Sequence, residues 1–311
     1  MKNHFFQFFL ILCFFVMLSF PSEVFEGAKS GLLLWFLTVL PTLFPFLLIS
    51  RLLLDSCACS LLNKLLAPVI SRLFGISAQG SFAFIVGFLC GYPMGAKTTS
   101  DLYENGEITK NEAEYLLTFV NQPSPVFVRT YLCQICLNGS VPFCRMLLIL
   151  LVSEWMTAQF FRFIVFRKKN YFREETFTKK ETPVISSPGA FLDVSIMNGF
   201  ETITRLGGYI LMFSILSACI SRWYIPHSVP GYLLTGILEL TTGLYRLQLL
   251  VLPDITKGML AVFLTACGGI CITAQTRSLV TKELSVKFYI VAKLLNGVIA
   301  VALFLFVTKI V

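Results

Sequence analysis

Apolar runs close to the length of a bilayer span recur along this chain of 311 residues, and they constrain its fold more than any other feature. A helix needs about 20 apolar residues to cross the hydrocarbon. Spans are expected at roughly 5–20, 31–54, 114–137, 142–166, 203–224 and 286–309. In lipid every backbone N–H and C=O must be satisfied within the chain, which leaves helices and closed barrels. The apolar–polar alternation of a barrel strand is missing. The expected fold class is therefore all-α, a polytopic membrane protein with about six transmembrane helices and the lipid bilayer as its first partner. A 56% hydrophobic composition agrees, being too apolar for a soluble domain of this size.

Charge orients the spans. The stretch "RKKNYFREETFTKK" (167–180) is the one strongly charged loop in a chain of net charge +8. By the positive-inside rule it is cytoplasmic, and alternating the spans from it puts both termini in the cytoplasm at the cell membrane. A nucleic-acid patch is the other reading of such a run. Its acidic residues and apolar flanks argue against it, so no nucleic-acid partner is expected. The opening "MKNHFFQFFLILCFFVMLSF" reads as an uncleaved first helix, with a signal peptide as the alternative, since no small-x-small site follows in "PSEVFEGAKSG". Cys133 and Cys136 form a CxxC within an apolar run, and the two histidines, His4 and His227, supply no second ligand cluster. They read as small buried residues, and neither a metal nor a cofactor is expected.

Two apolar segments, about 79–92 and 258–273, end in Gly-containing polar stretches and read as re-entrant hairpins. Segments 61–74 and 231–252 read as interfacial helices. In "FIVGFLCGYPMGAKTTSDLYENG" (84–106), Gly91 and Gly95 permit unusual backbone and Pro93 interrupts the helix ladder. Thr98, Thr99 and Ser100 then offer caps for a new helix. A helix N-terminus at membrane depth presents free N–H groups to a polar or anionic ligand, the alternative being an ordinary turn. Non-helical backbone at that depth is tolerated only where protein or a water-filled cavity covers it.

A second break is better specified. "TKNE" (109–112) is a capping box with Thr109 as N-cap and Glu112 at N3. The helix it starts meets "NQPSP" (121–125), whose prolines push the preceding residues out of the α region. Asn121, Gln122 and Ser124 then supply donors and acceptors beside freed carbonyls. A proline kink without a ligand is the plainer reading. Arg129 and Glu154 fall within spans, where a charge costs about 3 kcal/mol and faces the protein interior. They are candidates to pair with each other, and Glu154 to carry a proton. Glu239 is a weaker candidate.

An internal repeat is suggested by a shift of 178 positions, which lays "GYPMGAKTTS" (91–100) on "GICITAQTRS" (269–278). Gly91/Gly269, Ala96/Ala274, Thr98/Thr276 and Ser100/Ser278 are identical. "PTLFPFLLIS" (41–50) and "GYILMFSILS" (208–217) precede the two copies, each with a Phe four residues before a Ser: Phe46 and Ser50, Phe213 and Ser217. On the expected topology the halves are inverted, a plan common in secondary transporters, with the site at the repeat interface. A duplication kept for packing alone is the alternative. The candidate solute-binding set is Gly91, Pro93, Gly95, Thr98, Thr99, Asn121, Gln122, Ser124, Gln275 and Thr276.

The run "GFLCGYPMGAKTTSDLYENGEITKNEAEYLLTFVNQPSPVF" resembles the sporulation integral membrane protein YlbJ family, grouped with Gate, or nucleoside-recognition, domains. Gly91, Tyr92, Pro93, Gly95, Ala96, Leu102, Tyr103, Gly106, Glu112, Ala113 and Asn121 carry the likeness over about forty residues. "NGFETITRLGGYILMFSIL" (198–216) looks like the start of the family's second half. The resemblance implies two inverted Gate-type repeats, hairpins like those of concentrative nucleoside transporters, and an association with sporulation. The expected layout is an N-terminal helix at 1–27, a first repeat at 28–166, a basic loop at 167–190 and a second repeat at 191–311.

No Walker loop, HExxH or GxSxG is present, so no enzymatic activity and no catalytic residue are expected. The leading expectation is a transporter-like protein binding a small polar solute, with a coupling ion and homo-oligomer formation as further possible partners. A non-transporting factor acting through its cytoplasmic loop is the alternative. An intramembrane enzyme using Glu154 is a remoter one.

Overall fold

A computed structural model describes residues 4–54, 58–167, 188–222 and 229–310. All regular structure among them is helical, as the missing barrel alternation required. Most of the basic loop, and His227, lie outside the described residues. So do the side chains of Phe46, Ser50 and Lys64.

The first helix, α1 (His4–Ser19), is followed by α2 (Pro21–Leu34), whose course is turned by 102° from it. A π-helical turn, Trp35–Val39, joins α2 to α3 (Leu40–Leu54). Next come α4 (Ala58–Phe74) and α5 (Ala78–Cys90), set at 95° to each other. Gly91–Pro93 then reverses the chain into α6 (Met94–Glu104). The interrupted span expected at 114–137 consists of α7 (Lys110–Leu117), non-helical residues through Ser124, α8 (Pro125–Phe127) and a π-helical stretch, Val128–Cys136. Thr109 caps α7 as the capping box requires, accepting from Glu112 N at 3.1 Å. The Glu112 carboxylate accepts from Ser77 N at 2.7 Å, tying α7 to the start of α5. α9 (Phe143–Phe160) continues as a π-helix to Val165.

The second half begins with α10 (Pro188–Ser221), which lies along α2 and α3. Gly27 and Gly31 of α2 sit against Ser214 and Ala218, Trp35 Nε1 donates to Ile203 O at 2.9 Å, and Phe44 packs on Phe200. Then follow α11 (Val229–Leu238), α12 (Leu240–Leu249), α13 (Asp254–Cys267), α14 (Gly269–Leu279) and α15 (Lys287–Ile310).

Among the described residues four helices are long and apolar enough to cross a membrane: Phe143–Val165, Leu192–Ser221, Asp254–Leu279 and Lys287–Lys309. Two bent pairs raise the number to six if each is one span. The chain is thus a multi-pass helical membrane protein. Its outer face is lined by exposed Phe163, Ile164, Met197, Leu294, Val298 and Phe306, side chains suited to lipid.

Two expectations are corrected. The segment 258–273 is not a hairpin: α13 and α14 run on as one course, interrupted at Gly268 (φ +79°). The hairpin of the second half is 229–249, expected to lie at the interface, and it turns at Glu239. The 178-position alignment therefore matched a hairpin tip to a mid-span break. Small residues recur at both for packing reasons, and that misled the comparison. The structural order hairpin, interrupted span, long helix nevertheless occurs twice, as α5–α6, α7–α8, α9 and as α11–α12, α13–α14, α15.

Candidate functional site

The four interruptions converge. At the first hairpin tip Gly91 has φ +84°, which an L side chain rarely adopts, and a Cβ there would lie 2.9 Å from Ser124 N. The tip therefore abuts the break of the first interrupted span. Ser124 caps the resumed helix, accepting from Phe127 N at 3.2 Å. At the second tip Glu239 is buried and caps α12: Oε1 accepts from Thr241 N at 3.1 Å and Oε2 from Thr242 N at 2.6 Å. Tyr131 OH donates to Thr241 O at 3.1 Å, fastening this tip to the first interrupted span. Gly269, just past the second break, approaches the carbonyl of Ile237 in the hairpin so closely that a Cβ would meet it at 2.8 Å.

Between them lies a cavity of about 400 Å³, the size range of small-molecule sites. Gly91–Pro93, Ser124, Glu239–Thr241 and Gln275 form its polar end. Leu34, Val39, Leu206 and Ile210, from α2, the following π turn and α10, close it with apolar surface. Phe127 and Tyr131 also line it, stacked with centroids 5.3 Å apart and planes 7° from parallel, and Tyr92 meets Phe127 edge-on at 6.1 Å. Tyr92 OH is buried with no hydrogen-bond partner among the described residues. A carboxylate has about four lone-pair sites. Glu239 engages three, the third from Thr241 Oγ1, which leaves Oε2 one more to offer.

Of the expected site residues, Gly91, Pro93, Ser124 and Gln275 line this cavity. Gly95 does not; with Gly87 it packs against the carbonyl of Val120. Thr98 and Thr99 are buried in α6, and Thr99 Oγ1 donates to Gly95 O at 2.9 Å. Asn121 donates through Nδ2 to Thr276 Oγ1 at 2.8 Å and Tyr289 OH at 3.1 Å, so it anchors the first break to α14 and α15. Gln122 is buried, and its Nε2 has no partner among the described residues. Glu154 pairs with Lys293, Nζ to Oε1 at 2.7 Å, and Arg129 is exposed, which corrects the suggested Arg129–Glu154 pair. Sequence reading passed over Phe127, Tyr131 and Lys293 and underrated Glu239. An acid within an apolar stretch was the signal for the last.

Hairpins and interrupted spans around a partly open cavity are consistent with a transporter-like class of membrane protein. Residues 36–137 match the family model Gate, described as nucleoside recognition. Over 333 aligned residues the chain is 25% identical to the sporulation integral membrane protein YlbJ of Bacillus subtilis (strain 168), covering 94% of this chain and 80% of that protein. The resemblance to YlbJ-like, Gate-containing membrane proteins that residues 87–127 carry is thus found again by both comparisons. No solved structure matches the chain.

Proposed function

We propose that this protein binds a small polar solute carrying a flat ring, of the nucleoside class, and moves it across the membrane by alternating access during spore formation. The observation that carries the reading is the cavity bounded by both hairpin tips and both interrupted spans. The Phe127–Tyr131 stack offers a platform for the ring. The remaining Glu239 lone pair accepts from a hydroxyl or ring N–H, and Gln275 adds an amide. The Gate description and the name of the YlbJ relative support the solute class and the setting. Nothing in this reading calls on catalysis.

The same proposal takes 28–166 and 191–311 as two inverted repeats, with 1–27 as an added helix and 167–190 as a cytoplasmic loop. Hairpin glycines support it: Gly87 and Gly95 approach each other in the first hairpin as Gly236 and Gly243 do in the second. Inversion also sets the termini. Phe166 packs on Phe288 and Tyr103 OH donates to Glu283, whereas Gly258 packs on Phe304 at the other end of α15. With the basic loop cytoplasmic, the C-terminus then lies outside, in place of the expectation that both ends are cytoplasmic. In a variant without native cysteines, single cysteines at Asn138 and Lys309 are expected to react with an impermeant maleimide from outside. Reaction at Lys309 only after permeabilisation would remove the inverted repeat.

Binding is tested by thermal unfolding of the purified protein with nucleosides and nucleobases. A bound solute at 100 times its Kd raises stability by about 2.7 kcal/mol. Glu239→Gln is expected to abolish that gain. Silence across the panel would favour a non-transporting factor acting through residues 167–190.

A further inference from the structure

One face of α15 is polar where the rest of the helix is apolar. Tyr289, Lys293 and Asn296 stand at helical spacing, and all three are buried. Each reaches a different element. Tyr289 OH receives the hydrogen bond from Asn121 at the first break. Asn296 Nδ2 donates to Ala266 O, just ahead of the second break, at 3.4 Å. Between them Lys293 donates to Glu154 of α9 at 2.7 Å. The ion pair thus sits between the two contacts that hold α15 to the interruptions bounding the cavity.

The pair is buried but incompletely satisfied. Lys293 and Glu154 side chains are 6% and 2% exposed. Glu154 Oε2 and Asn296 Oδ1 have no partner among the described residues. A purely structural ion pair at such burial needs its remaining lone pairs engaged. Intramembrane ionisable pairs with spare valence are a recurrent form of proton relay. The titratable groups that face Glu154 are Lys293 from α15 and the Cys267 thiol from α13, which packs against Gly297 of α15. Ser153 and Thr157, its neighbours in α9, bond to backbone carbonyls of their own helix. Arg129 of the π-helical stretch is exposed.

We propose that Glu154 and Lys293 form a proton-binding site that couples solute movement to a proton gradient. A proton taken from water binds Glu154 Oε2, and the pair passes from neutral to a net charge of +1. The attraction holding Lys293 to α9 is lost. The ammonium then turns to Asn296 Oδ1, an unpartnered acceptor three residues along the same helix. That loosens the link between α9 and α15 beside both breaks. Release of the proton on the other side of the membrane restores the pair. Coupling to solute rests on the binding reading above; protonation of the pair does not.

The test is infrared difference spectroscopy of the full chain in lipid nanodiscs as the pH is lowered. The carbonyl stretch of a protonated carboxyl is expected to appear reversibly in the wild type and to be missing in Glu154→Gln. In Lys293→Met it is expected before acidification, because a buried carboxylate without its partner neutralises itself. A wild-type spectrum with no such band down to the pH of unfolding overturns the proposal. So does a band that persists unchanged in Glu154→Gln. Adding uridine or adenosine to the weakly buffered wild type should shift the pH, and Glu154→Gln should remove the shift. A titrating band with no nucleoside-linked shift keeps the proton site and counts against the nucleoside reading alone.

Discussion

Gly95→Ala is expected to abolish nucleoside-dependent stabilisation and to destabilise the folded protein by about 1–3 kcal/mol, the usual cost of overpacking. The single methyl group has nowhere to go. A Cβ at residue 95 would stand 2.1 Å from Val120 O and 3.0 Å from Gly87 Cα. Both obstacles are backbone, so no side chain can rotate aside, and the hairpin must move off the first interrupted span. That displaces the Gly91 tip from Ser124 and opens the polar end of the cavity. Gly87→Ala should behave alike, since its Cβ would meet Val120 O at 2.0 Å. Gly208→Ala is the control: nothing lies within 4 Å of its Cβ, and a helical Gly-to-Ala change there should stabilise by about 0.5–1 kcal/mol. Thermal and denaturant unfolding in a mild detergent measures all three. Unchanged stability and binding in Gly95→Ala would mean that hairpin and break do not touch as described.

Lys293→Met is expected to cost about 3–5 kcal/mol, because Glu154 loses its ion-pair partner and must take up a proton to stay buried. The double replacement Glu154→Leu with Lys293→Met should recover most of that loss, and swaps of this kind are often neutral or stabilising by about 1–4 kcal/mol. The double-mutant cycle separates the pair from its surroundings. If the two single variants cost little and simply add, Glu154 and Lys293 are not bonded in the protein. If the double variant is stable yet no longer moves solute, the pair serves function in preference to stability.

Several features were open to sequence reading because their causes are local. A span follows from a run of apolar residues, and α9, α10 and α15 fall where hydropathy puts them, α10 starting earlier. The Thr109 cap follows from four neighbouring residues. Gly91 with Pro93, and Asn121 through Pro125, interrupt helices through their own backbone chemistry, whatever surrounds them. The likeness to YlbJ was carried by the same stretch.

Other features belong to the tertiary structure. The turn at Glu239 has no proline, and Gly236 and Gly243 read as ordinary small residues until they are seen packed against each other. Asn121 looked like a solute ligand, yet its Nδ2 is committed to Thr276 and Tyr289, more than 150 residues away, and only its Oδ1 is left without a partner among the described residues. Arg129 was the nearer cation to Glu154 in sequence, but the partner proved to be Lys293, on a helix 139 residues further on. The sequence by itself determined that the chain spans the membrane as helices and where two of them break, because hydrophobicity and backbone freedom belong to single residues and their neighbours. Only the tertiary structure decided which breaks meet, which carboxylate caps a hairpin and which is paired, because a buried polar group is settled by what packs against it.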